Sequence, residues 1–292
     1  MVSFKPIDSG SMTKNSITSP KVLCAVSHGL YEPWLTILRE GQQTTWLTVA
    51  FPENFEVVHY HGTPVGKFLQ GMDRLHERIR WKNRYLGSLL RLIDNIFLAP
   101  LVYYIPKSET SKLLTTAEKA IHIKFPDTYL TYRWKFLSLL EYFLDETDSQ
   151  FLFITSTASY IQPDLVLNFV REIRDQSTLA GAEPYDRAGF ISGSNRIISR
   201  EIALQTLQTR KKWQPGVIED VEFSRLVISN QNKIKSFPIA NIDSIAKLTD
   251  TSDSLISNTY HFRLKSIQGS TRNDVSIMKA LHERVLQLRK DV

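Results

Sequence analysis

The stretch from Asp148 to Asp164, DSQFLFITSTASYIQPD, constrains the fold of this chain more than any other. Phe151 to Ile154 is a short, continuous apolar run, the pattern of a strand covered on both faces in a parallel sheet. It stops at a row of small hydroxyl residues, Thr155, Ser156, Thr157 and Ser159, and Pro163 then opens a helix. In open α/β sheets, ligands bind beyond the carboxyl ends of the strands. Thr155 to Ser159 therefore stand where a ligand is expected.

The rest of the chain supplies the partners such a strand needs. Lys21 to Ser27 (KVLCAVS) reads as a first buried strand, followed by a polar turn at His28-Gly29 and a short helix from Glu32-Pro33 that stops at Gly41. Phe55 to Tyr60 (FEVVHY) is a second strand, closed by His61-Gly62. Strand, helix, strand in that order predicts a right-handed crossover in a Rossmann-like α/β sheet. Leu101 to Ile105 and Ala120 to Phe125 are further strand candidates, and a helix is expected from about Tyr129 to Leu144. After the helix at Pro163 to Arg174 comes a flexible turn around Gly181, then two short β-like pieces within Ala188 to Ser199 on either side of Ser192-Gly193-Ser194. Arg200 to Gln208 and the segment beginning Val217-Ile218-Glu219-Asp220-Val221 are helical, and a last helix runs from about Asn273 to Leu288. Residues 1–19, rich in Ser, Thr, Lys and Pro, read as a flexible arm. Residues 20–292 read as one domain with a helical C-terminal tail.

Composition bounds the function classes. With 292 residues, 42% of them hydrophobic and 23% charged, the chain can bury a sizeable core. A net charge of +6 suits an anionic ligand or a membrane face, although basic and aromatic residues do not interleave densely enough for nucleic acid. Lys67 to Phe97 is a long helical segment whose 74–91 portion is basic (Arg74, Arg78, Arg80, Lys82, Arg84, Arg91). It reads either as a solvated helix face or as peripheral contact with an anionic membrane. Cys24, the single cysteine, lies in an apolar run and reads as a core residue, as in a reducing compartment. No apolar signal region and no stretch long enough to cross a bilayer is present, so a cytoplasmic location is expected.

Three elements in order carry a resemblance. FLFITSTASY (151–160) lines up with a strand that reads roughly F-L-L-K-T-D-D-D-V-F in the β-1,3-galactosyltransferase and Fringe type of GT-A glycosyltransferase. Ser156, Thr157 and Ala158 stand where the family's three Asp would be. ISGSNRIISRE (191–201) is similar to the family's C-S-G-G-G-Y-V-L-S-R-D, and Glu219-Asp220-Val221 to its E-D-V. The match covers about residues 127–229 and is nearest to relatives lacking the DXD motif. It implies a GT-A fold, a Rossmann-like mixed, mostly parallel sheet flanked by helices. It also implies inverting transfer from a nucleotide-diphosphate sugar to a saccharide or lipid-linked saccharide, as in polysaccharide or glycoconjugate assembly.

The site residues follow from that alignment and from strand ends. Asp220 is the candidate base, taking the proton of the acceptor hydroxyl, with Glu219 beside it, although both would also serve to cap a helix. Ser27, His28 and Tyr31 flank the first strand's end, and Asp127, Thr155, Ser156 and Thr157 complete the expected donor side. Ser192, Gly193 and Ser194 are expected near the transferred sugar and the acceptor. In the family, DXD carboxylates hold a divalent metal such as manganese or magnesium against the diphosphate. Hydroxyls here supply no such charge, so a metal is disfavoured and Arg263 and Lys265 (YHFRLK) are expected to hold the diphosphate, with Arg272 and Lys279 as weaker candidates. His261 is a weak metal candidate and otherwise a packing or hydrogen-bonding histidine. A non-catalytic module of the same fold, binding nucleotide or glycan, is the alternative.

Overall fold

A computed structural model describes residues 20–68, 71, 75, 79, 109–111, 120–128, 131–173, 175–213, 219–266 and 272–290. The architecture is α/β, with a mixed, mostly parallel central sheet flanked by helices. Its strands are β1 (Val22–Ser27), β2 (Phe55–Thr63), β3 (Glu109–Ser111), β4 (Ala120–Pro126), β5 (Phe151–Ser156), β7 (Thr178–Glu183), β8 (Asn195–Ser199) and β9 (Lys233–Pro238). They lie in the order β3-β4-β2-β1-β5-β8-β7-β9. A short antiparallel pair, β6 (Ser159–Ile161) with β10 (His261–Arg263), stands apart. The helices are α1 (Tyr132–Glu146), α2 (Pro163–Glu172), α3 (Arg200–Thr209), α4 (Glu219–Ser229), α5 (Ile245–Asp250), α6 (Asp253–Asn258) and α7 (Asp274–Lys290), with short helical turns between Trp34 and Thr48.

The apolar runs explain why β1 and β5 are central. They pair in parallel from Val22 with Phe151 to Ser27 with Ser156. Alternate residues serve opposite cores. Val22, Cys24, Val26, Phe151 and Phe153 pack with Trp46, Val166, Ile277, Met278 and Leu281, whereas Leu23, Ala25, Leu152 and Ile154 pack with Trp134, Leu137, Leu140, Ile202 and Phe223. Both faces are dry, so both parities are apolar. Cys24 is a buried core residue, as expected. Among the described residues no helix is long and apolar enough to cross a membrane.

Three sequence expectations are corrected. The stretch around Gly181 is not a turn: it is the middle of β7, buried and paired with Arg196 of β8. A Cβ at Gly181 would lie 2.3 Å from the Asn195 carbonyl oxygen, so glycine is needed there for close approach between strands. Residues 188–199 are not two β pieces but a loop followed by the single strand β8. The strand at 151 does not end at Ile154: β5 runs to Ser156 and turns at Thr157-Ala158 into β6. The expected strand at 101–105 and the basic 74–91 segment lie outside the described residues, apart from residues 75 and 79, which are helical.

Local side chains fix the frame. The Ser199 hydroxyl caps α3 by accepting from the Ile202 N–H at 3.2 Å. Arg200, next in the chain, donates to the carbonyls of Phe143, Leu144, Thr147 and Ser149, closing the C-terminal end of α1. The fully buried Gln42 donates to the Ser156 and Ser159 carbonyls at 3.1 and 3.3 Å, holding the turn that ends β5.

Candidate functional site

Chain order reverses between β1 and β5: from β1 the chain moves outward through β2 to β4, then returns to the other side of β1. All four strands run parallel, so their carboxyl ends share one edge. A cleft of about 210 Å³ opens there, lined by Ser27, His28, Gly29, Tyr31, Trp34, Asp127, Thr128, Tyr132, Lys135, Ser156, Thr157 and Ser194. This is the topological switch point at which open sheets bind ligands. The Thr157 N–H donates to the Ser27 carbonyl at 3.2 Å, so the two strand ends are tied across the cleft floor.

Of the residues singled out from sequence, the cleft brings together Ser27, His28, Tyr31, Asp127, Ser156, Thr157 and Ser194. Thr155 is not among the lining residues. It is fully buried in β5, opposite Asn195, and its hydroxyl has no hydrogen-bond partner. Asp127 forms a buried ion pair with Lys135 of α1. Sequence reading missed Lys135, Thr128 and Tyr132, because their place depends on how α1 docks rather than on local pattern.

His28 is 4% exposed, and among the described residues neither ring nitrogen has a hydrogen-bond partner of good geometry. Its ring lies 5.6 Å from that of His59 and 5.1 Å from that of His61, and His61 stacks on His122 at 5.1 Å. His59 and His61 share one face of β2 by its two-residue period, a signal that was present in the sequence. Burial first, then the neighbouring His59 and His61, lowers the pKa of His28 to about 3. His59 falls to about 4 for the same first reason. Neutral imidazoles therefore face the cleft and stand behind it at neutral pH.

Beyond Ser194 the cleft edge meets α4. The Gly193 N–H donates to Asp220 Oδ2 at 3.3 Å and the Val221 N–H to Asp220 Oδ1 at 3.0 Å. Asp220 is half-buried, and burial raises its pKa against the pull of Arg196 and those amides. Ser192 is buried, with its hydroxyl 3.0 Å from that of Ser194. A Cβ on Gly193 would make only ordinary contact, 3.5 Å from Glu219 Oε2, so nothing in the packing demands glycine there. Glu219 itself is turned inward and ion-paired with the buried Arg196 at 2.7 Å.

Arg263 and Lys265 are not among the residues that line the cleft. The Leu264 N–H between them donates to the Ala158 carbonyl at 2.8 Å, tying this segment to the turn after β5. Burial first, then the charges of Arg263 and Arg272, lowers the pKa of Lys265, so three cations are crowded together. Arg272 lies over the ring of Trp34 at 4.9 Å, and Trp34 lines the cleft. Arg272 also pairs with the fully buried Asp274.

Ser156, Thr157 and Ala158 offer hydroxyls and a methyl, and among the described residues no three His, Cys, Asp or Glu side chains converge to hold a metal. His261 is occupied at both ring nitrogens: the Asn195 amide lies 2.9 Å from Nδ1 and the Ser159 hydroxyl 3.0 Å from Nε2. Burial lowers its pKa to about 3, with Arg263 adding to the effect.

No protein-family sequence model matches the chain, and no curated protein matches it in sequence. Similar solved structures include the apo form of the glycosyltransferase GlyE of Streptococcus pneumoniae TIGR4, at 11% identity and a TM-score of 0.43. A second structure of GlyE matches at 10% identity and the same TM-score. Each alignment covers 94% of this chain and 63% of the other, so this chain spans less than two thirds of their length. A likeness at this level says nothing about what the chain binds or transfers.

Proposed function

We propose that this chain is a GT-A-type glycosyltransferase that moves a sugar from a nucleotide-diphosphate sugar to a hydroxyl of a saccharide or lipid-linked saccharide, with inversion. The observation that supports it best is the cleft at the switch point, which gathers Ser27, His28, Tyr31, Asp127, Ser156 and Thr157 and ends at Ser194, beside Gly193 and Asp220. At about 210 Å³ it is smaller than the ~300–1,000 Å³ of pockets that enclose a drug-sized ligand. It suits the base and ribose, with Trp34 and Tyr31 as stacking surfaces, while the diphosphate and sugar extend toward Ser194.

In the transfer, the acceptor hydroxyl oxygen forms a bond to the anomeric carbon as the bond from that carbon to the diphosphate oxygen breaks. The electron pair leaves with the nucleoside diphosphate, and the hydroxyl proton passes to the Asp220 carboxylate. Negative charge grows on the departing diphosphate. Lys135 is the cation that lines the cleft, Arg272 stacks over Trp34 of its wall, and Arg263 and Lys265 crowd with Arg272 outside the lining; these cations take the charge-balancing part. No step requires a divalent metal.

The missing carboxylates at 156–158 favour one other reading, a binding module of the same fold without turnover. A panel of nucleoside diphosphates screened by thermal shift, with and without manganese, tests both: binding of none counts against either. Turnover of some nucleotide sugar that survives EDTA and is lost in Asp220→Asn favours the enzyme. Full turnover by that variant would remove Asp220 from the role of base.

A further inference from the structure

The side chain of Arg196 is fully buried, an uncommon place for a guanidinium unless something holds it. Its guanidinium lies over the Phe136 ring at 3.9 Å and the Phe223 ring at 5.0 Å, so α1 and α4 grip it from two sides. Arg196 Nη1 is 2.7 Å from Glu219 Oε1. Glu219 directly precedes Asp220, and a Cβ placed on Gly193 would see Glu219 Oε2 at 3.5 Å and Asp220 Oδ2 at 3.8 Å, so both carboxylates reach the same small volume. Two adjacent acids in a largely dry setting thus draw chiefly on one fully enclosed cation, with Arg133 acting less strongly on Glu219.

Resting on the glycosyltransferase reading, we infer that Arg196 is a positioning residue. Through Glu219 it governs how readily Asp220 accepts a proton and holds Asp220 against the Gly193 amide. Neutralising one member of the trio must be felt by the others, since Coulomb interactions over a few ångströms are weakly screened where water is absent. Among the described residues, few other groups face the trio. Arg133 and Tyr132 approach from α1, the Tyr132 hydroxyl meets that of Tyr60 from β2 at 3.2 Å, and the Glu222–Arg225 pair lies one turn along α4. Burial raises the pKa of Glu219 to about 7 against the pull of Arg196, and raises Asp220 as well. Tyr132 also lines the cleft, so this cluster adjoins the donor wall.

The test is a carboxyl 13C NMR titration of full-length protein labelled at Asp and Glu, assigned by Asp220→Asn, with a parallel pH profile of nucleotide-sugar turnover. Glu219→Gln frees Arg196 for Asp220, and the Asp220 midpoint is expected to fall by at least half a pH unit. Arg196→Met leaves two acids without their cation, and the midpoint is expected to rise by more than one unit. Arg196→Lys, which keeps a charge, is expected to restore part of that change even if the Met variant folds poorly. The acid limb of turnover should follow the NMR midpoint in each variant, a correspondence that a merely structural role would not produce. A midpoint unmoved in Glu219→Gln, or one that Arg196→Lys leaves no closer to wild type than Arg196→Met does, overturns the inference, whatever happens to activity. Midpoints that move while no nucleotide sugar turns over leave the clamp standing and overturn the glycosyltransferase reading.

Discussion

Lowering the pH from 8 to 5 asks buried imidazoles to take up protons. An unfolded histidine titrates near 6.5, whereas His28, His59 and His261 titrate at about 3, 4 and 3 in the fold. Between those limits the unfolded chain binds more protons, so the stability due to neutral burial is whole above pH 6.5 and drains away as pH falls toward the folded values. Linkage gives a loss of about 2 kcal/mol for each of the three at pH 5, or about 6 kcal/mol together. Glu219 acts in the opposite sense. Its folded pKa of about 7 lies above the ordinary carboxylate value, so it takes up a proton on the folded side first and returns about 2.5 kcal/mol over the same interval. These four groups alone give a loss of about 3–4 kcal/mol, a large part of a typical domain's stability; His61 and His282, lowered by burial, act in the same sense, and Asp220, raised by burial, in the opposite one. Urea unfolding at pH 8, 6.5 and 5, with an unchanged m-value, reads it directly. His59→Gln removes one titrating group and should reduce the pH 8-to-5 difference by about 2 kcal/mol. A wild-type difference under about 1 kcal/mol, or a variant whose curve runs parallel to wild type, would refute the reasoning.

The remaining predictions concern the cleft and its frame. Arg263→Ala, Lys265→Ala and Arg272→Ala should each weaken binding of a nucleoside diphosphate by roughly tenfold or more, and less so in high salt, as isothermal titration would show. Asp127→Ala leaves Lys135 buried without its partner and should cost about 3–5 kcal/mol of stability, whereas replacing both residues with apolar ones should cost much less. Gly181→Ala places a methyl 2.3 Å from the Asn195 carbonyl oxygen and from Ile191 Cγ2, and should lower the melting temperature by several degrees or prevent folding. Tyr185 is 64% exposed and packed edge-on against Phe190 in the loop that leads to Ser192, and under the proposed transfer its ring is the surface on which an acceptor sugar would stack. Tyr185→Ala should raise the acceptor KM while leaving the donor KM in place.

What the sequence revealed depended on how each element is buried. β1 and β5 could be read because both of their faces are dry, leaving no polar residue to blur the run. α1 could be read from Trp134, Leu137, Leu140 and their neighbours on one side. β7 escaped because Ala180, Gly181 and Ala182 are small to fit against a neighbouring strand, so they signal close approach rather than apolarity. Lys233 to Phe237 stands out in the sequence as a segment but not as a strand, for the opposite reason: Lys233, Lys235 and Ser236 of β9 are largely exposed at the sheet edge, where lysine discourages pairing with another chain. The site divides in the same way. Strand ends such as Ser27, Ser156 and Thr157 follow from the rule for parallel sheets, but Lys135 enters only once α1 is docked, and Arg196 becomes interesting only when its burial is known.

The helix that supplies Tyr132 and Lys135 is fastened at both ends, by Asp127 near its start and by Arg200 across four carbonyls at its finish. Such a wall has little configurational freedom left to surrender when a ligand arrives, so most of the free energy of contact with it is kept as affinity. In hydrogen–deuterium exchange, the amides of 136–143 should be among the slowest in the chain and change little when a nucleotide is added. Any slowing on binding should fall elsewhere, on the opposite rim around Tyr31 and Trp34.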